Sequence, residues 1–391
     1  MNCIEYPFDE VVTLFDKQRV PLSSMDRAKR QGKYRYYGAQ GIIDYIDDYI
    51  FDGEYLLLAE DGENLKSNKQ NLAQLVDGKF WVNNHAHILR TKRICRLRYF
   101  YYWINSKNMT EYVTGSAQPK LSQSSLKKMV IPLPSLEVQD KILGVIIPID
   151  EKIKENARIN KNLEQQGLAL YKSSFINYAP YGGIQPDGWN IVSLEDVCIK
   201  ITDGSHYSPK DEPGAPYPMY SVKDMETYGF NSSSCKHISA TEFERMKKSD
   251  CVPSVNDILV AKDGSYLKEI FICSEQKDEA VLSSIAIFRP NPNVILPDVL
   301  LFLLKQPSVR ADVADNYVSG SALPRIVLKD FKKYQFTLPS INEQRKIGDI
   351  LHSFRMQIAA NVKENHRLTS LRDSLLPKLM SGEIDVSDID F

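Results

Sequence analysis

The chain has little of what marks several large protein classes: long apolar runs, paired cysteines or an excess of one charge. Residues 299–304 form one of its longest apolar runs, far short of the roughly 20 residues of a membrane-spanning helix. Six cysteines are scattered without a Cys-x-x-Cys pair, which argues against a structural zinc site and for reduced thiols. The N-terminal residues lack the basic and apolar regions of a secretory signal. We therefore expect a cytoplasmic protein without a membrane partner.

Recognisable catalytic motifs are also missing. The sequence has no Asn-Pro-Pro-Tyr-type methyltransferase signature, no glycine-rich cofactor fingerprint after a strand and no phosphate-binding loop. A metal-dependent nuclease needs clustered carboxylates and a lysine, and the nearest grouping is Glu60 and Asp61 with Lys66. The second half carries Lys262 where Glu60 stands, so the acid pair is not repeated. We therefore expect no catalytic residues, no cofactor and no metal site.

What the chain does contain is an internal repeat at a constant offset of 205 positions, from Gly115 to Gly320. The repeated residues include Gly115-Ser116-Ala117 with Gly320-Ser321-Ala322, Leu133-Pro134-Ser135 with Leu338-Pro339-Ser340, and Gln139, Asn156 and Asn160 with Gln344, Asn361 and Asn365. Solenoid units are several times shorter, so the repeat predicts two large modules that each end in the same helix. Such a pseudo-twofold molecule suits a target with two separated halves.

The order of patterns predicts six segments. A mixed α/β module spans 1–134, a helical segment 135–178, a Pro/Gly-rich linker 179–189, a second strand-rich module 190–339, a second helical segment 340–381 and a loose acidic tail 382–391. Apolar runs at 55–59, 80–82, 257–261 and 284–288 read as strands, and 97–104 as a helix. The expected fold is therefore two α/β (α+β) domains joined by two long helices.

The two modules differ from each other far more than the two helices do. One interpretation is that a common scaffold presents two modules that recognise different targets. The other is that surface-rich domains simply drift faster after duplication.

The helices carry a coiled-coil seam with a polar layer at the same place in both copies. The predicted seam residues are Ile142, Ile149, Ile153, Asn156, Asn160 and Leu163 in the first helix and Ile347, Phe354, Ile358, Asn361, Asn365 and Leu368 in the second. Antiparallel pairing would bring the two pairs of asparagines together; in the alternative, each helix packs on its own module and the asparagines face water. Pro148 predicts a kink or a break in the first helix.

The motifs as a set resemble type I restriction–modification specificity subunits over nearly the whole chain. The similar segments are 20–24, 36–45, 54–62, 80–87 and 188–206 for the target recognition domains, and 131–134 with Gln139 and 338–339 with Glu343 and Gln344 for the starts of the family's two helices. Two positions depart from the pattern. Val138 replaces an expected Glu, and Leu323 stands where the first copy has Gln118.

The resemblance implies a non-catalytic subunit that gives a DNA methyltransferase its sequence specificity. Each recognition domain would read one half of an asymmetric bipartite site, and the antiparallel helices would set the gap. Two methyltransferase subunits would dock through the helices, and restriction translocase–nuclease subunits would join for cleavage. A coiled-coil adaptor that binds only proteins, and an enzyme with a divergent active site, are the rival classes.

A net charge of −1 gives no overall nucleic-acid signal, so DNA contacts must come from local groups of cations and amides. The candidates are Lys29, Arg30, Lys33, Tyr34, Arg35, Tyr36, Asn83, Asn84, His85, Arg90, Lys92, Ser116, Gln118 and Lys120 in the first module and Thr202, Ser205, His206, Lys223, Lys262, Ser265 and Arg325 in the second. Cations suit phosphates, aromatics suit sugars and bases, and amides suit adenine. For residues 29–36 the alternative is a solvated loop beside a core tyrosine, and for Arg90 and Lys92 it is a solvent-facing strand or helix. For residues 83–85 it is a capped turn, and for Ser116, Gln118 and Lys120 a tight turn.

Overall fold

The computed structural model describes residues 2–62, 64–67, 70–115, 118–320 and 322–386. It divides into two compact units: unit 1 comprises Met1–Ile153 with Arg367–Phe391, and unit 2 comprises Lys154–His366. Each unit holds one α/β domain, here named domain 1 and domain 2, and a part of both long helices. Among the helices of these described ranges, none has the length and apolarity of a membrane span.

Domain 1 is built mainly from two four-stranded sheets. Its strands are β1 (Ile4–Pro7), β2 (Val12–Leu14), β3 (Gln31–Gly38), β4 (Gly41–Ile46), β5 (Phe51–Asp52), β6 (Tyr55–Ala59), β7 (Ala73–Val76), β8 (Lys79–Val82), β9 (Ala86–Thr91), β10 (Val113–Thr114), β11 (Lys120–Leu121) and β12 (Val130–Leu133). The first sheet has the order β2-β9-β6-β7 and the second the order β4-β3-β8-β5, while β1 pairs with β12 and β10 with β11.

Domain 2 repeats this topology with additions. Its strands are β13 (Asn190–Ser193), β14 (Cys198–Asp203), β15 (Tyr217–Tyr220), β16 (Met225–Glu226), β17 (Gly229–Phe230), β18 (Lys236–Ile238), β19 (Ile258–Ala261), β20 (Ile270–Ile272), β21 (Ala280–Val281), β22 (Ile285–Pro290), β23 (Val318–Ser319), β24 (Arg325–Ile326) and β25 (Gln335–Leu338). Its main sheet has the order β14-β22-β19-β20, and β18-β15-β21 form the second sheet. Strand β15 runs parallel to β21, as β3 does to β8.

The central strands explain why the apolar runs were readable as strands. Strands β6 and β19 are buried along their whole lengths and pair on both sides with neighbours of the main sheets. A strand covered on both faces needs apolar residues at successive positions rather than alternate ones. The strands predicted at 55–59, 80–82, 257–261 and 284–288 are therefore confirmed.

Most helices are short, whereas two of them, α6 and α12, are long and are here named the rods. They are α1 (Phe8–Val11), α2 (Ser24–Lys29), α3 (Asn64–Ser67), α4 (Leu97–Asn105), α5 (Gln123–Leu126), α6 (Leu136–Tyr171), α7 (Leu194–Val197), α8 (Ala240–Lys248), α9 (Pro297–Leu304), α10 (Pro307–Asn316), α11 (Leu328–Phe331) and α12 (Ile341–Ser381). Helix α4 confirms the helix predicted at 97–104. With 36 and 41 residues, α6 and α12 are about 54 and 61 Å long at ~1.5 Å per residue.

Each rod begins with the same buried glutamine. The Gln139 Nε2 donates to the carbonyls of Ile94 (3.1 Å) and Pro134 (3.0 Å), and its Oε1 accepts from the Arg96 N–H (2.8 Å). Gln344 repeats all three bonds, donating to Val294 and Pro339 and accepting from the Leu296 N–H. A repeated residue in the sequence thus marks a repeated joint between the rod and its domain.

In unit 1, the beginning of α6 packs with the end of α12. The core of this unit includes Ile142 and Ile146 from α6 and Leu379 from α12. The Arg372 guanidinium donates to the Asp150 carboxylate at 2.9 Å. The two segments therefore run antiparallel in this unit.

In unit 2, the later part of α6 packs with the first part of α12 through the polar layer. The Asn156 amide donates to Asn365 (2.9 Å) and to Glu364 (2.7 Å), and the Asn361 amide donates to Asn160 (2.7 Å). Asn156, Asn160 and Asn361 are buried. The antiparallel meeting of the asparagines is confirmed, and the alternative in which they face water is wrong.

Helix α6 passes through Pro148 without a break. Of the kink or break predicted there, the break is wrong, although a proline inside a helix costs about 3 kcal/mol; the kink stays a prediction. The buried residues Ile142, Ile146 and Asn156 flank the site and hold the helix on both sides. Packing therefore outweighs the missing hydrogen bond.

The linker and the tail are better packed than their composition predicts. Trp189 is buried, and its ring lies 5.5 to 5.7 Å from the rings of Phe175, Tyr178 and Tyr181. In the tail, Val386 is buried in the core of unit 1 and Ile384 packs against it. The expectation of a loose tail is wrong for these residues, while 387–391 lie outside the described residues.

Candidate nucleic-acid interface

The basic segment of domain 1 lies on α2 and β3, with its cations placed against aromatic rings. Lys29 and Lys33 are exposed, and the Lys33 ammonium lies 5.3 Å from the Tyr34 ring centroid. The Arg35 guanidinium lies 5.7 Å from the Tyr37 centroid. Cations held over rings are partly ordered before a phosphate arrives, which lowers the entropic cost of binding.

Two members of this segment are engaged with the protein itself. Tyr36 is fully buried, and its hydroxyl accepts a hydrogen bond from the Leu22 N–H at 2.9 Å. The prediction that Tyr36 contacts DNA is therefore corrected, since the ring belongs to the core. Arg30 is half-buried, pairs with Asp47 at 2.9 Å and lies 5.0 Å from the Trp81 ring centroid.

The amide segment after β8 divides into a turn and an exposed tip. Asn83 is buried, and its Oδ1 accepts from the His85 N–H at 2.8 Å, so Asn83 serves the capped turn that was the alternative. Asn84 and His85 are exposed. The His85 Nδ1 lies 2.6 Å from the Asp61 carboxylate, which ties this tip to the turn after β6.

Arg90 and Lys92, at the end of β9, contact neighbouring backbone. The Arg90 guanidinium lies 3.9 Å from the Tyr55 ring centroid and its Nε donates to the Glu54 carbonyl. The Lys92 ammonium donates to the Asp9 carbonyl at 2.5 Å. Lys92 is exposed, whereas Arg90 is half-buried and offers less of its charge to a partner.

The glycine that begins the repeated motif has a left-handed backbone conformation in both domains. Gly115 and Gly320 have φ values of +86° and +91°, and a Cβ on Gly115 would lie 2.3 Å from the Gln118 carbonyl oxygen. Gln118 and Lys120 follow this glycine and are exposed, whereas Ser116 lies outside the described residues. The Gln118–Lys120 segment therefore lies at the surface of domain 1.

The predicted residues of domain 2 gather around two aspartates. The His206 Nε2 lies 3.3 Å and the Lys262 Nζ 2.8 Å from the Asp203 carboxylate. Arg325 is exposed, and its backbone pairs with that of Asp263. Lys262 is buried, so its prediction as a DNA contact is corrected: its ammonium neutralises Asp203.

The remaining predicted residues of domain 2 lie on a strand, a short helix and two loops. Lys223 and Ser265 are exposed, and Thr202 is half-buried on β14. The Ser205 hydroxyl donates to the Tyr207 carbonyl at 2.7 Å, so Ser205 shapes its own loop.

Sequence reasoning missed an exposed cation–aromatic pair beside that loop. The Arg245 guanidinium, on α8, lies 4.4 Å from the ring centroid of Tyr207, which is 48% exposed. Arg245 is remote from Tyr207 in the sequence, so only the fold brings them together. Their chemistry matches the cation–ring pairs of domain 1.

A buried ionic cluster in domain 1 was also missed, although Glu60 had been noted. Asp16, Glu60 and His87 offer oxygen and nitrogen atoms within 4.8 Å of one another, a donor set that a metal ion could use. The Arg19 guanidinium lies 2.7 Å from Glu60 and 3.5 Å from Asp16, so it supplies the positive charge there.

The acids of this cluster are held ionised. Burial raises the pKa of Glu60, but the hydrogen bonds from Arg19 and Lys120 and the charge of His87 outweigh it and the pKa is lowered. Burial likewise opposes ionisation of Asp16, and hydrogen bonds from His87, the Ile88 N–H and Gln123 lower its pKa further than burial raises it. This arrangement stabilises charge; it offers no activated nucleophile.

Comparisons with known proteins agree with this architecture. A family model described as the type I restriction modification DNA specificity domain matches residues 5–165 and 186–370. A putative type I restriction enzyme specificity subunit, S.HindORF215P of Haemophilus influenzae, is 26% identical over 354 residues, covering 89% of this chain and 86% of its own length. The MjaIX specificity subunit of Methanocaldococcus jannaschii is 27% identical over 314 residues, covering 74% and 70%.

A solved structure has the same fold. The S subunit of a type I restriction-modification system from M. genitalium superposes with a TM-score of 0.60 over 97% of this chain and 96% of its own. The sequences are 16% identical, so this likeness concerns the fold alone.

Proposed function

Because the chain belongs to the family of type I restriction modification DNA specificity domains, we propose that domains 1 and 2 each read one half of a bipartite, asymmetric DNA site. The observation that carries the proposal is a matched pair of surface loops. Both follow a positive-φ glycine, both are bonded by backbone to the turn after the central strand, and they present Gln118 and Lys120 in one domain and Leu323 and Arg325 in the other. One frame with two different surfaces suits a target whose halves differ.

The proposed contacts fall into two classes. Phosphate contacts are assigned to exposed cations, which are Lys29, Lys33, Lys92, Lys120, Lys223, Arg245 and Arg325. Base contacts are assigned to Asn84, His85 and Gln118 in domain 1 and to His206, Ser265 and Leu323 in domain 2. Amides suit adenine edges and an aliphatic side chain suits the thymine methyl group.

The subunit is proposed to be non-catalytic and to act in the cytoplasm within a larger complex. Its proposed partners are double-stranded DNA, two methyltransferase subunits that dock through α6 and α12, and restriction subunits that join for cleavage. Support comes from the family and from the ionic cluster of domain 1, where Arg19 balances the charge of Glu60.

The first experiment measures DNA binding by the chain assembled with its methyltransferase subunits. Affinity for the methylated sequence of the host genome should fall steeply with added salt, because cations on the protein displace counterions from phosphates. Salt-independent binding, or none, would favour the protein-only adaptor. Methylation or cleavage by the chain alone would favour an enzyme.

The second experiment exchanges residues 190–335 for those of a relative with another target. The half of the site read by domain 2 should change and the other half should stay. A change in both halves would contradict modular reading. In a companion variant, one heptad added within both long helices should lengthen the gap without altering the bases read.

A further inference from the structure

The loop that presents Lys120 in domain 1 is held by a cluster of charged side chains. The Lys120 ammonium lies 3.2 Å from Glu60, and the backbone of Leu121 donates to the Glu60 carbonyl at 2.8 Å. At the far end of the loop, the Gln123 amide donates to the Asp16 carboxylate at 2.6 Å. Lys120, Leu121 and Gln123 thus connect residues 120–123 to Asp16 and Glu60 at three points.

His87 joins this loop to Asp16 through both nitrogens of one ring. Its Nε2 lies 2.7 Å from the Leu121 carbonyl, which can only accept, so Nε2 must carry a proton. Its Nδ1 lies 2.6 Å from the Asp16 carboxylate, and a second proton must lie between those two atoms. Because the ring is fully buried, no water can replace either bond without rearrangement.

Domain 2 has the same backbone hydrogen bond to its loop but different side chains around it. The Ile326 N–H donates to the Lys262 carbonyl at 3.0 Å, as Leu121 does to Glu60. On the neighbouring strand, Ala286 pairs with Val260 where His87 pairs with Leu58. Ala286 thus takes the place of the His87 imidazole, and an apolar residue, Leu328, stands where the repeat places Gln123.

We propose that Asp16, Glu60 and His87 are positioning residues for DNA recognition by domain 1. They fix the position and orientation of the Gln118–Lys120 segment. They thereby determine how well domain 1 discriminates between base pairs in its own half-site, and they do not affect the other half-site. The backbone bonds alone place the loop; the ionic cluster removes its remaining freedom. This inference rests on the proposed function, because it assigns a role within DNA reading.

The test uses the assembled methyltransferase complex on three duplexes: the cognate site and one with a single base-pair change in each half. The wild type must methylate the cognate duplex fastest; if it does not, the proposed function fails, whatever the variants do. His87→Phe should lower discrimination in the half read by domain 1 at least tenfold and leave discrimination in the other half within twofold. Equal losses in both halves, or no loss in either, would overturn the inference.

A gentler variant covers the case in which His87→Phe does not fold. Gln123→Met removes one bond between the loop and Asp16 at a half-buried position, and it should reduce discrimination in the same half about threefold to tenfold. Ser124→Ala, one residue along, removes only an exposed hydroxyl bond to Ser122 and none to Asp16, so it is the matched control and should discriminate as the wild type does. A merely structural role would lower the unfolding temperature of Gln123→Met while its discrimination stayed at the wild-type value.

Lys262→Met supplies the reciprocal measurement in domain 2. Its ammonium neutralises Asp203 beneath the matched loop, so its loss should reduce discrimination in the half read by domain 2 and spare the other. A Lys262→Met effect on the half read by domain 1 would contradict the assignment of one cluster to one half-site.

Discussion

In unit 1 the residue after strand β6 is Glu60, paired with Arg19, and in unit 2 the residue after β19 is Lys262, paired with Asp203. A similar reversal of charge occurs where each domain meets its rod: Arg98 on α4 pairs with Glu151, and Asp298 on α9 pairs with Arg355, the counterpart of Asp150. The backbones agree at both places, since the matched glutamine and turn bonds are repeated. The fold is therefore set by backbone bonds and apolar packing, which leaves the sign of nearby charges free to differ.

The largest difference in stability between variants of the two units is expected where each domain meets its long helix. Asp298 and Arg355 are both buried, so Asp298→Ala leaves a guanidinium without its partner and should cost about 3–5 kcal/mol. Arg98 and Glu151 are 46% and 63% exposed, so Arg98→Ala should cost less than about 1 kcal/mol. Urea unfolding of the two variants measures the contrast. Similar costs would show that burial does not distinguish the two pairs.

The next prediction concerns a feature that the units share. Gln139→Ala and Gln344→Ala each remove three hydrogen bonds and leave buried backbone groups unpaired, so each should cost about 2–4 kcal/mol. Because the bonds match in length and partner, the two costs should agree within about 1 kcal/mol. The matched control is Gln166→Ala, at an exposed position within α6, and it should be near neutral. Strongly unequal costs would break the equivalence of the two joints.

A smaller effect is expected in the polar layer. Asn361→Leu leaves the buried Asn160 carbonyl without its donor and should cost about 1–2 kcal/mol. Replacing both Asn160 and Asn361 by leucine should instead add about 1–2 kcal/mol, because an apolar layer packs better than a buried polar one. Thermal unfolding compares the two variants. If the double variant is also destabilised, the layer contributes stability as well as register.

The smallest expected effect is that acidification lowers the stability of the loop in domain 1 but not that of the matched loop in domain 2. Asp16 and Glu60 have pKa values lowered from 3.8 and 4.5, so their stabilisation is complete above those values and declines as pH falls below them. The Leu121 amide, bonded to the Glu60 carbonyl, should lose hydrogen-exchange protection on acidification. The Ile326 amide, bonded to the Lys262 carbonyl, is the control. Parallel loss at both amides, after correction for intrinsic exchange rates, would remove the distinction.

The long helices and the central strands could be predicted from the sequence because they depend on local or repeated sequence patterns. Heptad spacing placed the antiparallel seam, and Asn156 and Asn160 repeated as Asn361 and Asn365 predicted which layers meet. Continuous apolar runs gave the central strands. The start of each rod was marked by a repeated glutamine, although the sequence did not disclose that this residue bonds three backbone groups.

The candidate interface was less readable because exposure depends on contacts between distant residues. Tyr36 and Lys262 looked like surface residues in polar segments, yet tertiary packing buries both. Pro148 predicted a kink or a break, and the helix continues through it because packing on either side holds it. The partners of Glu60 lie on other strands and loops, so no spacing rule could find Arg19 or His87.

Unit 1 is assembled from the first 153 residues and from the stretch that begins at Arg367. Its core is closed by Leu379 and Val386, which a ribosome releases after every residue of unit 2 has been made. Domain 1 is therefore begun before domain 2 and finished after it. A nascent chain interrupted before α12 is complete would leave an open apolar surface on domain 1, which suits capture by chaperones and removal by proteases.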